Sequence, residues 1–117
     1  MRTFGTGGRL ADVEARIGAE MRAASAEGWR FTNEDSTGDA KARTCCALGA
    51  VVRDLISTMQ PLIPVTLVRL QITDSEYSAI ASGFDGEVFD PDTNEWVAMG
   101  RRLRVLGDEL NRTRGAA

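Results

Sequence analysis

Residues 44–59, TCCALGAVVRDLISTM, carry the most apolar and least interrupted helical pattern in the chain. Their large apolar side chains recur at spacings of three and four residues, which places them on one face of an α-helix. That face comprises Cys45, Leu48, Val52, Leu55 and Met59, and it is widened by Val51 and Ile56. A stripe this wide exceeds what one neighbouring helix covers. We therefore expect a central helix that begins near Asp39, ends near Met59 and carries the other elements packed around it.

Length and composition indicate one globular domain. With 117 residues, 43% of them apolar and 26% charged, the chain can build a single core of the ordinary kind. Residues 1–8 are rich in glycine, so we expect a flexible N-terminus there. A single helical domain is expected over 9–114, followed by a short tail over 115–117.

Upstream of the central stretch, apolar residues at helical spacing predict a first helix over about 9–27, which Gly28 ends. Trp29 and Phe31 follow directly, and we expect both rings to fold back onto the core. The polar residues 32–39 predict an exposed loop.

Downstream of it, Pro61 and Pro64 are expected to stop the central helix. The β-branched run 65–72 predicts a short strand or an extended connection. The segment Thr73-Asp-Ser-Glu76 matches a capping box and predicts a third helix over about 74–82, which stops at Gly83.

For residues 85–97 we weigh a small hairpin against a loop and prefer the loop, because residues 92–95 form a second capping box. A last helix should then run over about 93–112 and close at Gly115. Its apolar stripe comprises Trp96, Met99, Leu103, Leu106 and Leu110. The expected fold is mainly α: a compact bundle of about four helices, with a short strand or hairpin near 65–72 and 87–97.

Composition excludes several kinds of chemistry. The chain has no histidine, which removes a histidine-based catalytic dyad or triad and a histidine-bound zinc site. The formal net charge of −3 argues against general binding to duplex DNA. No apolar run is long enough for a membrane span and no signal peptide is evident, so we expect a cytoplasmic protein without a membrane partner. We expect neither a cofactor nor a metal.

The adjacent Cys45 and Cys46 give no CxxC pair. Neighbouring side chains on a helix point about 100° apart, so we expect Cys45 inward, Cys46 partly inward, and both as small apolar fillers. A reactive thiol is the alternative, because a helix N-terminus lowers the pKa of a thiol.

The acidic segment 85–95 opens like a calcium loop at Asp90, but Glu95 and Arg101 stand where an EF-hand needs glycine and glutamate. Helix capping is the favoured interpretation, and cation binding stays open. The arginines of the last helix, Arg101, Arg102 and Arg104, either form a solvated face with ion pairs or grip RNA phosphate or an acidic protein. The apolar stripe headed by Trp96 either lines the chain's own core or mediates self-association, for which the central helix is a second candidate.

A helix that ends in Gly28-Trp29 and a later helix that starts with Cys46-Ala-Leu-Gly-Ala50 resemble a family of small uncharacterised bacterial and phage-borne proteins. The resemblance covers roughly residues 10–56. It implies a compact helical domain of bacterial or phage origin, and it carries no assigned chemistry.

From these patterns we expect a non-enzymatic protein–protein interaction module, an accessory, regulatory or inhibitory factor whose partner is another protein or a second copy of the chain. The residues expected to touch the partner are Trp96, Arg101, Arg102 and Arg104, flanked by Asp85, Glu87 and Asp90. Two alternatives stay open. One is a small RNA-binding accessory protein that uses the last helix, and the other is a thiol-dependent sensor or enzyme.

Overall fold

The computed structural model of the chain describes residues 6–32, 38–86 and 94–116. Within these ranges the chain is mainly helical, which confirms the expected fold class. The helices are α1 (Thr6–Ala26), α2 (Ala47–Val51), α3 (Leu62–Leu70), α4 (Asp74–Asp85) and α5 (Glu95–Ala116). The strands are β1 (Arg30–Phe31), β2 (Gly38–Asp39) and β3 (Thr44–Cys45), and a 3-10 turn spans Arg53–Leu55.

The core lies between α1, α2, α4 and α5. Its largest fully buried side chains include Ile17, Met21, Leu48, Ile80, Phe84, Met99 and Leu103. The predicted first helix is confirmed, although it begins at Thr6, so residues 6–8 are helical and only residues 1–5 of the expected flexible N-terminus lie outside the description. Gly28 adopts the left-handed conformation just past the helix, and Trp29 and Phe31 are buried as expected.

α4 and α5 pack with almost no space between their backbones. The predicted stop at Gly83 was wrong, because α4 continues to Asp85 and ends at Gly86, which has a φ of 79°. Gly83 serves helix packing instead. A Cβ at Gly83 would overlap the carbonyl oxygen of Val97, and a Cβ at Gly100 would overlap that of Ile80. Two glycines on facing helices therefore allow the close approach.

Local capping signals set the starts of α4 and α5. At α4 the capping box is present: Glu76 N–H donates to Thr73 Oγ1 at 3.2 Å, and Thr73 N–H donates to Glu76 Oε1 at 2.9 Å. At α5 the oxygen Oδ1 of Asn94 accepts from the N–H groups of the next turn. Residues 87–93, where we expected part of a hairpin and of a second capping box, lie outside the described residues. The helix itself runs past the predicted end at Gly115 to Ala116.

The predicted central helix was wrong. β3 pairs with β1 in parallel and with β2 antiparallel, so Thr44 and Cys45 are strand residues. The side chain of Asn111 extends this small sheet, since its Oδ1 accepts from Phe31 N–H at 2.9 Å and its Nδ2 donates to Phe31 O at 2.8 Å. Pairing with a distant strand thus overrides the local helical pattern.

Helical structure resumes only briefly after β3. Cys46 caps α2, whose five residues are all buried, and Val52 leaves helical geometry before the 3-10 turn. Met59, which we expected in the core, is 99% exposed.

The strand or extended connection expected over 65–72 was also wrong, since Leu62–Leu70 forms α3. Pro61 is the N-cap and Pro64 lies in the first turn, where a backbone N–H has no partner within the helix, so neither proline breaks it. Gln71 ends the helix in a left-handed conformation with φ of 56°. A helix that begins at Leu62 therefore accommodates both prolines.

Candidate functional site

Both cysteines are buried, which corrects the expectation that only Cys45 would point fully inward. The reason is that Cys45 lies on β3 and Cys46 at the N-cap of α2. The angle of about 100° between neighbouring side chains on a helix therefore does not apply to them. Burial raises the pKa of Cys45 to about 12, and burial also raises the pKa of Cys46. Cys46 Sγ accepts the Gly49 N–H at 3.3 Å, so this thiol has a structural contact.

All three arginines expected to meet a partner take part in interactions within the chain. Arg102 binds both carboxylate oxygens of Glu14, at 2.9 and 2.6 Å. Arg104 donates to the carbonyl oxygen of Phe84 at 2.9 Å and lies over that residue's ring. Arg101 is exposed on the same helix. Arg102 is thus paired with a carboxylate of α1, and Arg104 also pairs with Asp108 of the same helix.

Trp96 also has partners within the chain. It is partly buried against the core, and the guanidinium carbon of Arg9 lies 5.3 Å from its ring centroid. Arg9 in turn binds Glu76 at 2.6 and 2.7 Å and donates to Gln71 O at 2.8 Å. The α5 stripe therefore lines this chain's own core.

Asp85, the last residue of α4, is exposed. Glu87 and Asp90 lie outside the described residues. The partner-binding assignment of Trp96 and its neighbours stays a prediction.

Sequence reasoning missed the most exposed apolar surface of the described residues. We call Met59, Ile63, Pro64 and Val68 the α3 surface. Met59, Ile63 and Val68 are 99%, 43% and 75% exposed, and Pro64 is exposed as well. Residues 59–68, MQPLIPVTLV, contain no charged side chain, and this run was the available signal. It was missed because the helical spacing of residues 44–59 predicts Met59 in the core and the β-branched run after it favours a strand.

A second feature is a cleft of about 700 Å³ between α1, α2, the 3-10 turn and α3. We call it the charged cleft. It is lined by Arg16, Glu20, Glu27, Trp29, Val51, Arg53, Asp54, Arg69 and Leu70. Sequence patterns gave no sign of it, because its residues come from segments up to 54 positions apart.

Arg53 is the recessed centre of the charged cleft, with a side chain only 16% exposed. Its Nε and Nη2 each bind Glu27 at 2.8 Å, and its Nη1 binds Glu20 at 2.7 Å and Ala50 O at 2.8 Å. The hydrogen bond from Arg53 lowers the pKa of Glu27, and the bond to Glu27 raises the pKa of Arg53. Glu27 and Arg53 therefore stay charged near neutral pH.

The opposite wall is held by Arg69 of α3. It binds Asp54 at 2.8 and 3.1 Å and Val51 O at 2.9 Å, and its hydrogen bond lowers the pKa of Asp54. Arg16 of α1 reaches across to donate to Arg69 O at 3.0 Å. The cleft is thus lined by both arginine and carboxylate side chains, which hydrogen bonds hold in place.

The described residues offer neither a metal-binding cluster nor a membrane-spanning helix. In ranges 6–32, 38–86 and 94–116, no three acidic or cysteine side chains lie close enough together to hold a metal ion. No helix in the same ranges is long and apolar enough to cross a membrane.

Compared with known proteins, the chain matches no family model, no curated protein and no solved structure.

Proposed function

We propose that this chain is a non-enzymatic protein–protein interaction module whose main contact is the α3 surface. The observation that carries the proposal is the exposure of Met59 and Val68, 99% and 75%, within a run of ten residues that has no charge. Exposed apolar side chains grouped on a domain surface are typical of binding sites for other proteins, and these residues lie within ten positions of one another. A cytoplasmic setting and a bacterial or phage origin are part of the same proposal.

Energetics favour a partner for this surface. Fully burying a side chain such as Met59 or Val68 contributes about 1.5–3 kcal/mol each. Pro64 and Val68 lie one helical turn apart, which is a spacing used when an apolar helix face lies in a partner's groove. Ile63 lies about 100° from Pro64 around the helix.

Charge indicates the chemistry of that partner. Because residues 59–68 are uncharged, a charged partner surface would lose its hydration here without gaining an opposite charge. The nearest charge on the helix, Arg69, is already paired with Asp54. We therefore infer a partner protein that presents an uncharged apolar groove.

The alternatives have weaker support. An RNA-binding role would require the guanidinium groups of Arg102 and Arg104 to give up or share their contacts with Glu14 and Phe84. A thiol-dependent role needs an accessible thiolate, whereas burial raises the pKa of both cysteines.

The test is affinity capture from nuclease-treated lysate with three forms of the protein: wild type, Val68→Glu and Val105→Glu. Val105 is the matched control, since it is 59% exposed and apolar but lies on α5 among charged neighbours. We expect a stoichiometric protein that the wild type and Val105→Glu retain and Val68→Glu loses.

Other outcomes reassign the contact. A partner that survives Val68→Glu and is lost on Arg101→Glu would contradict the α3 surface and favour the last helix. Recovery of nucleic acid without nuclease, with binding that falls steeply as salt rises, would favour the RNA-binding alternative. A doubled mass by light scattering that Val68→Glu reverses would make a second copy the occupant.

A further inference from the structure

We propose that the charged cleft binds a small zwitterion, an α-amino acid with an apolar side chain. This inference is independent of the proposed protein partner, because none of the residues that line the cleft belongs to the α3 surface. It rests on how the charged groups of the cleft are already paired.

The cleft is electrically balanced. Three arginines, Arg16, Arg53 and Arg69, face three carboxylates, Glu20, Glu27 and Asp54. A ligand with net negative charge would have to compete with the carboxylates already bound to Arg53 and Arg69. A ligand with net positive charge would meet three guanidinium groups. A zwitterion adds no net charge, so the cleft is not left with an uncompensated ion when water is displaced.

Two of these groups retain unused hydrogen-bonding capacity. Arg16 donates through Nη1 to Arg69 O, and among the described contacts it has no carboxylate partner. Glu20 accepts from Arg53 through Oε1, and no described contact uses its Oε2. A guanidinium has five N–H donors and a carboxylate about four acceptor sites, so both can take on further partners.

The relative position of Arg16 and Glu20 is the decisive feature. They lie one turn apart on α1, a spacing at which opposite charges commonly pair. Here they do not pair, because Arg16 reaches to the α3 wall and Glu20 to the 3-10 turn. Their side chains are thus held by two different elements of the cleft lining and can bracket a ligand. The carboxylate of an amino acid would lie at Arg16 and its ammonium at Glu20.

Apolar groups in the lining suit the rest of such a ligand. Trp29, Val51 and Leu70 contribute to the cleft, and its volume of about 700 Å³ lies within the range of small-molecule sites. An aliphatic or aromatic side chain can lie against these residues while the charged head is held at the rim.

The probe is L-leucine, titrated into the isotope-labelled protein and followed by NMR of the two tryptophan indole N–H groups. Trp29 lines the cleft and Trp96 lies outside it, so Trp96 is an internal control, and Trp96→Phe assigns the two signals. We expect a saturable shift of the Trp29 signal with a dissociation constant on the order of 1 mM, as suits a ligand this small.

Analogues and variants define the mode of binding. Isopentylamine and 4-methylpentanoate each keep one charge of leucine, and each should bind at least about tenfold more weakly. Arg16→Gln and Glu20→Gln should each weaken leucine binding by a similar factor, while Glu109→Gln, a charge change on α5, should not. Thermal unfolding of each variant confirms that it is folded.

The proposal is overturned if Trp29 does not respond to leucine, or if both tryptophans shift alike. It is also overturned if one single-charge analogue binds as well as leucine, which would identify a simple cation or anion site. Because the assay uses purified protein alone, none of these results depends on the α3 surface.

Discussion

The α4–α5 pair and the segment from Val52 to Gln71 are built in opposite ways. In the first, long helices approach so closely that Gly83 and Gly100 lie against the facing backbone. In the second, a 3-10 turn, a turn at Ile56–Ser57 and a short helix leave Met59 and Val68 exposed. The first region contributes to stability through packing, and the second presents apolar surface that packing within the chain does not use. Under the proposed function, the first region maintains the fold and the second meets the partner.

Gly100→Ala should have the largest effect on stability. The added methyl group would overlap the carbonyl oxygen of Ile80, and backbone atoms cannot move aside as a flexible side chain can. We expect a loss of about 3 kcal/mol or more in the free energy of unfolding, measured by urea denaturation.

Gly18→Ala is the matched control for that substitution. A Cβ at Gly18 would lie 3.3 Å from the mobile guanidinium of Arg22 and 3.7 Å from Leu106. Because alanine is the better helix former, this change should be neutral or stabilising by up to about 1 kcal/mol. Equal losses in both variants would contradict the close glycine packing of α4 and α5.

Glu76→Gln should have an intermediate and pH-dependent effect. Hydrogen bonds from Arg9 hold the pKa of Glu76 at about 2, against an ordinary 4.5. A depressed pKa contributes stability that is present above pH 4.5 and is lost as the pH falls toward 2. Glutamine keeps the capping role, so the variant should be less stable by about 1–2 kcal/mol at pH 6, allowing for screening at the half-exposed Arg9.

The measurement is chemical denaturation of the wild type and the variant from pH 6 to about 2. The difference between their free energies of unfolding should shrink as the pH falls through that window. Glu109→Gln, on an exposed part of α5, serves as the control. A gap that persists unchanged at low pH would mean that the Arg9–Glu76 ion pair is not its source.

Val68→Glu should have the smallest effect on folding. Its side chain is 75% exposed, and glutamate is a good helix former, so we expect the free energy of unfolding to change by no more than about 0.5 kcal/mol. Calorimetric unfolding checks this. A large loss would show that Val68 belongs to the core and would remove the α3 surface as a binding site.

Sequence reasoning succeeded where local signals and packing agree. The glycine after α1 and the capping box of α4 are short-range features, and both are present as predicted. The apolar spacing of α5 likewise predicted that Met99 and Leu103 face inward. In each case the residues that carry the signal lie within a few positions of the structure that they determine.

Sequence reasoning failed where a structure depends on a segment that is distant in the sequence. Thr44 and Cys45 form a strand because Arg30 and Phe31 lie beside them, and this pairing leaves no trace in the helical periodicity of 44–59. The charged cleft is a similar case, since Glu27 and Arg53 meet only after the chain has folded. The α3 surface was missed for a local reason, namely that prolines at a helix start were interpreted as helix breakers.

The most direct test of the central claim is hydrogen–deuterium exchange of the protein, free and bound to the partner that the wild type captures. Binding at the α3 surface predicts slower exchange in the complex over residues 59–70 and unchanged exchange over residues 95–105. Slower exchange confined to residues 95–105 would contradict the claim and place the contact on the last helix, around Trp96 and Arg101.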